Sequence, residues 1–161
     1  MTKQAYHFEY EVYAGIEALQ PADAALLTQA RAVTANAYAP YSHFLVGAVA
    51  ALLTGETVSG TNQENGSYPV GLCAERVLLS TASTLFPGVA ISTMAISYHN
   101  LNGTSDHPIS PCGMCRQYIA EYQDRMNHPI RLILGGLTGE VYIIDNAKRL
   151  LPLGFDGSIL R

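Results

Sequence analysis

The segment after "GLCAERV" (residues 71–77) places a carboxylate where a helix should be apolar. Leu78, Ala82 and Leu85 recur at helical spacing, and Glu75, three residues ahead of Leu78, shares their face. Asp and Glu are almost never fully buried without a partner. A fold built on this helix must therefore bring something to Glu75 from elsewhere in the chain.

The chain is long enough to supply it. Its 161 residues, 48% of them hydrophobic, are expected to form a single domain over 1–161. A chain of that size buries roughly 68–70% of its unfolded surface. Charged residues make up only 14%, against roughly 25% in an average soluble protein, which points to surface covered by further copies of the chain. A net charge of −4 and a pI near 5.6, with no Lys/Arg cluster, argue against a nucleic-acid partner. The longest apolar run, "FLVGAVAALL" from Phe44, is too short to span a membrane, and the N-terminus lacks a signal-peptide core. A soluble, cytoplasmic protein is the expectation. Three cysteines, Cys73, Cys112 and Cys115, cannot all pair within one chain, so a disulfide framework is not expected.

Periodicity predicts the elements. Tyr6, Phe8, Tyr10 and Val12 alternate with polar residues as in a half-exposed strand over 6–13. Leu26, Leu27, Ala30, Val33 and Ala37 form a stripe on a helix over 21–37, with Pro21 in its first turn. "APYSHF" breaks that helix. "FLVGAVAALL" then pairs with "ETVSGT" as a hairpin through Thr54-Gly55. A helix from Cys73 stops at Pro87-Gly88, "TMAISY" (93–98) is a buried strand, and a polar loop follows. A second helix is expected from Pro111, capped by Ser110, with Cys115, Ile119, Tyr122 and Met126 inward. "IRLIL" (130–134) and "EVYIID" (140–145) are strands, and 146–152 a short helix. The order β-β-α-β-α-β predicts an α/β fold, a mixed β-sheet packed between helices.

Two helices thus begin with cysteines: Cys73 on one, Cys112 and Cys115 on the other. A helix N-terminus carries partial positive charge and free N–H groups, and both favour a thiolate, the form that binds zinc. Taken alone, "CGMC" is more often a redox pair, half a structural zinc site or coincidence, and "CAE" says little. Together they place every cysteine of the chain at one of two helix starts, with an inward glutamate beside the first. Three protein ligands would leave the fourth position of a tetrahedral zinc for water, as in catalytic sites. A carboxylate beside that water can carry its proton. Zinc deaminases combine such ligands, a glutamate that is not a ligand, and a PCxxC segment. "CAE" (73–75) and "PCGMC" (111–115) have these parts.

The stretches "YSHFLVGA" (41–48), "TNQENGSYPVGLCAER" (61–76) and "ISPCGMCRQ" (109–117) closely resemble the short, homotetrameric cytidine deaminases, over residues 24–155. The resemblance implies a cytidine-deaminase-like fold and hydrolysis of cytidine or deoxycytidine to uridine or deoxyuridine, with release of ammonia. It implies Zn2+ held by Cys73, Cys112 and Cys115, with Glu75 moving a proton from water to the pyrimidine N3. Arg76 would donate to a thiolate sulfur and offset the charge of three thiolates. Asn62 and Glu64 would bind the ribose 3′-hydroxyl, Phe44 would pack on the base, and the main chain at Ala74 would contact the pyrimidine. Tyr68, and Phe155 in "LLPLGF", resemble aromatics that reach a neighbouring subunit's site in a homotetramer.

The chain departs from the common pattern at Leu45, where proline is frequent, and at Gly66, in place of alanine. Residues 1–20 have no counterpart in the shortest members; their strand is expected to join a sheet edge or a subunit contact. His7, His43, His99, His107 and His128 read as ordinary surface or loop residues. The rival readings are a related small-molecule deaminase such as one acting on blasticidin S, a closed Cys3His zinc module using His99 or His107, and a thiol redox protein.

Overall fold

The computed structural model of the chain describes residues 1–160, the side chains of 158 and 159 apart. One mixed sheet of six strands organises them. The strands are β1 (Glu11–Tyr13), β2 (Phe44–Leu52), β3 (Thr57–Thr61), β4 (Ile91–Asn100), β5 (Arg131–Gly135) and β6 (Val141–Ile144). Their spatial order is β1-β6-β5-β4-β2-β3, and only the β4–β5 pair is parallel. A parallel pair needs a crossover connection, and the helix α3 (Gly113–Met126) supplies it between β4 and β5. The β2–β3 hairpin turns at Gly55, whose φ of 100° suits glycine.

The sheet is covered on both faces, so its central strands are apolar on both. On β4, Met94 and Ile96 join the core formed with Leu78 and Leu79 of α2 (Ala74–Leu85) and Ile119 of α3. Ala95, between them, faces Leu27 and Ala30 of α1 (Pro21–Val33). Leu78 and Leu79 are fully buried, each contributing about 1.5–3 kcal/mol of transfer free energy. Two glycines set how closely the helices lie on the sheet. A Cβ at Gly47 would strike the Ala30 carbonyl of α1, and one at Gly60 would strike the Leu78 amide and Ala74 carbonyl of α2. Gly60 therefore holds the first turn of α2 tight against β3.

Several expected boundaries move. The strand expected over 6–13 is paired only at Glu11–Tyr13, because its partner β6 has just four residues. Tyr13 packs on the core beside α1 and Phe8 on the core of the other face, while Tyr10 and Val12 are about half exposed. The segment does join a sheet edge, as one of its two expected placements, and Tyr10 packs on Tyr142 of β6 at 5.0 Å. α1 ends at Val33 rather than 37: the Thr34 hydroxyl bonds the Arg31 carbonyl, the chain tightens into a 3-10 turn, and Ala37 is extended. α3 starts two residues later than expected, with Cys112 rather than Ser110 as its N-cap. No helix among the described residues is long and apolar enough to cross a membrane.

Candidate metal centre and substrate cavity

α2 and α3 begin alike. Cys73 and Cys112 are their N-cap residues, both extended, and neither side chain caps its own helix. Their sulfurs turn instead to each other and to Cys115, in the first turn of α3. The Cys73 and Cys112 Sγ atoms are 3.8 Å apart and those of Cys112 and Cys115 3.5 Å. All three lie within 4.8 Å of one another.

This donor set fits zinc. A tetrahedral ion with Zn–S bonds of about 2.3 Å separates its sulfur ligands by about 3.8 Å, close to both distances. The cluster also sits where two helix N-termini favour thiolates. Cys73 is lowered to about 6, chiefly by a hydrogen bond from Cys115, with help from the Arg76 charge. Cys115, which supplies that proton and is buried, is raised. Arg76 thus acts on Cys73 through its charge; among the described residues its guanidinium makes no hydrogen bond to a sulfur.

Glu75, two residues beyond Cys73, is 5% exposed. Burial raises its carboxyl above the ordinary value. The inward carboxylate read from helical spacing therefore lies beside the sulfur cluster, and a hydrogen bond from its own main chain partly offsets its burial.

A cavity of about 600 Å³ opens onto this cluster. Cys73, Ala74, Glu75 and Cys112 line it, together with Asn62, Glu64 and Tyr68. Among its lining residues there is no Lys, Arg or His. Glu64 is held in place by the chain itself: one carboxylate oxygen accepts the amides of Tyr41 at 2.9 Å and Ser42 at 3.3 Å. The Ser42 hydroxyl and these amides hold the Glu64 carboxyl below its ordinary value. Asn62 spans β2, its Oδ1 accepting the Val46 amide at 2.7 Å and its Nδ2 donating to the Phe44 carbonyl at 2.9 Å.

Two expected contacts lie off this cavity. The Phe44 ring stacks on buried Tyr98 at 4.8 Å, while its neighbours Ser42 and Val46 line the wall. Phe155 is exposed in a separate groove with Arg76, Met114 and Tyr118. Sequence reasoning missed Tyr41 and Ser42, because "APYSHF" read only as a helix break. Glu64 needs main-chain donors from a turn of this kind, but nothing local in sequence pairs residues over twenty positions apart. It also missed Ile109 and Met114 on the wall.

A sequence model described as the cytidine and deoxycytidylate deaminase zinc-binding region matches residues 21–127. The chain belongs to this family. It is 34% identical over 119 residues to the cytidine deaminase of Mycobacterium tuberculosis, covering 71% of this chain and 85% of that one. With the cytidine deaminase of Halalkalibacterium halodurans it shares 35% identity over 132 residues, covering 81% and 91%. The crystal structure of cytidine deaminase from Burkholderia pseudomallei superposes with a TM-score of 0.70 at 35% identity, covering 81% of this chain and 97% of that one. The family's zinc-binding region thus contains all three cysteines and Glu75, whereas β1 precedes it.

Proposed function

We propose that this protein is a zinc-dependent hydrolase that deaminates cytidine and deoxycytidine, releasing ammonia. The observation that carries this reading is the convergence of three thiols on a buried glutamate at the wall of a nucleoside-sized cavity. Bound by Cys73, Cys112 and Cys115, zinc would supply a Lewis acid that makes water nucleophilic near neutral pH. Glu75 takes the proton of the attacking water, passes it to N3 of the pyrimidine, and then assists departure of the C4 amine as ammonia. The Ala74 main chain and the helix start hold the base edge beside Glu75. Asn62 and Glu64 bind the ribose 3′-hydroxyl through the oxygen and hydrogen left free by their own anchoring bonds. Phe44, stacked on Tyr98, stiffens the end of β2 that closes this side.

A free nucleoside suits the cavity better than a nucleotide, since a phosphate would meet Glu64 and no cation. The need for three reduced thiols favours a reducing compartment, in keeping with a cytoplasmic enzyme. Tyr68 is 75% exposed and Phe155 57%, which supports their reaching a neighbouring subunit's site in a homotetramer.

Ultraviolet absorbance of cytidine mixed with the zinc-loaded protein tests the reading. Conversion to uridine that stops on chelation and is absent for cytidine 5′-monophosphate is the expected result. A zinc-loaded protein that leaves cytidine unchanged would overturn it.

A further inference from the structure

Of the three cysteines, Cys112 is the exposed one. Cys115 is buried within α3, and Cys73 is half buried. Cys112 also occupies an N-cap without a side-chain cap bond, so the backbone that carries it needs support from elsewhere. Arg116 provides it. Its Nε donates to the carbonyl of Pro111, the residue before Cys112, at 2.8 Å. Its Nη1 donates to the carbonyl of Leu150 at 3.0 Å. Both bonds are partly buried, and both go to main chain rather than to sulfur.

The Leu150 end is itself anchored. The 3-10 turn Ala147–Leu150 is tied to the chain ahead of β5 by the Ala147 amide on the Ile130 carbonyl at 2.9 Å. Buried Gln123 of α3 donates to Asn146 Oδ1 at 2.9 Å, and the same oxygen accepts the Lys148 amide at 3.0 Å. From the N-terminal segment, the Tyr6 hydroxyl donates to the Arg149 carbonyl at 2.8 Å. Arg116 thus bridges a firmly held turn and the peptide that leads into a ligand. Its planar fork spans two carbonyls in fixed directions, which the single ammonium of lysine does not reproduce.

We propose that Arg116 is a positioning residue of the metal centre: by tying the Pro111–Cys112 peptide to the 147–150 turn, it sets where the Cys112 thiolate stands. The inference rests on the zinc reading of Cys73, Cys112 and Cys115. Losing support of this kind around a metal ligand typically weakens metal affinity by about 10–100-fold.

The test compares the full-length wild type, R116Q and R116K in Zn2+ competition against a chromophoric chelator, with melting temperatures of the metal-free and zinc-loaded forms. Both variants are expected to bind Zn2+ about 10–100-fold more weakly, so that the rise in melting temperature on adding Zn2+ shrinks. R116K keeps the charge and aliphatic stem, and it serves alone if R116Q does not fold. Equal loss of melting temperature in both forms, with wild-type affinity for Zn2+, would mean a merely structural role and overturn the inference. Wild-type affinity in R116K alone would do the same, because charge rather than the fork would then suffice. A wild type that binds no Zn2+ would instead remove the zinc reading on which the inference stands.

Discussion

Glu75, Glu64 and Asn62 are three polar side chains at one cavity, and each is held by a different kind of force. Burial acts on Glu75, and the proton it carries is its proposed task. E75Q preserves shape and removes that task, so zinc content and melting temperature are expected to hold while kcat falls by at least about 10²–10⁴. Steady-state deamination alongside metal analysis checks this; ordinary turnover in E75Q would remove the proton shuttle. Glu64 is held by the Ser42 hydroxyl and the amides of Tyr41 and Ser42, which depress its carboxyl from the ordinary 4.5. A depressed folded-state value means stability that is present above 4.5 and lost only as pH falls through the lower folded value. The stability difference between wild type and E64Q is therefore expected to stay level from neutrality down to 4.5 and to shrink only below it. Urea titrations at several pH values read this difference; one that fades well above the ordinary value would contradict the anchoring described. Asn62 is bound by main chain before any substrate arrives. N62A is expected to lose about 1–3 kcal/mol of stability by leaving the Val46 amide and Phe44 carbonyl unpaired. It is also expected to raise KM for the nucleoside, and an unchanged KM would place the sugar elsewhere.

The two helix starts are the elements on which the site depends. The apolar spacing of α2 made its inner face legible, and Glu75 with it. The start of α3 was less legible, because Ser110 followed by Pro111 resembles a conventional cap. The cap is Cys112, whose sulfur belongs to the cluster, and local propensity cannot anticipate a partner on another helix. β3 positions α2 through Gly60, where the backbone of both elements leaves no space for a methyl group. G60A is expected to force the first turn of α2 off the sheet, costing about 1–3 kcal/mol by overpacking. Because that turn carries Cys73, Ala74 and Glu75, its activity is expected to fall well beyond its loss of stability. Paired measurement of melting temperature and kcat/KM distinguishes this from a simple packing defect, in which activity per folded molecule would stay unchanged.

At the scale of the whole molecule, β1 is the part that lies before the family's matched region, which begins at residue 21. It extends the sheet at the β6 edge, and the segment leading into it adds two aromatic contacts, Phe8 with Tyr10 and Tyr10 with Tyr142. Removing residues 1–14 is expected to cost on the order of 2 kcal/mol from those ring contacts alone, and to expose an edge strand that promotes association. Chemical denaturation and light scattering of the shortened chain measure both effects; unchanged stability would show that the segment is dispensable to the fold. Sedimentation equilibrium tests the proposed tetramer, with four times the 17.3 kDa chain mass as the expected value.

What the sequence determined by itself was which thiol and carboxyl side chains share a helix face, and which helices present them. Short-range spacing suffices for that, since residues one turn apart share a helix face. Tertiary structure alone decided how those parts meet. Cys73 and Cys112 are thirty-nine positions apart and their sulfurs 3.8 Å apart, a separation set by the packing of α2 and α3 on one face of the sheet. It decided that Glu64 is anchored by the turn at Tyr41 and Ser42, and that Phe44 rests on Tyr98. It decided too that Arg116, next to Cys115 in sequence, bonds the carbonyls of Pro111 and Leu150. Contacts of this length depend on how elements are arranged across the sheet, and no local pattern of residues encodes that arrangement.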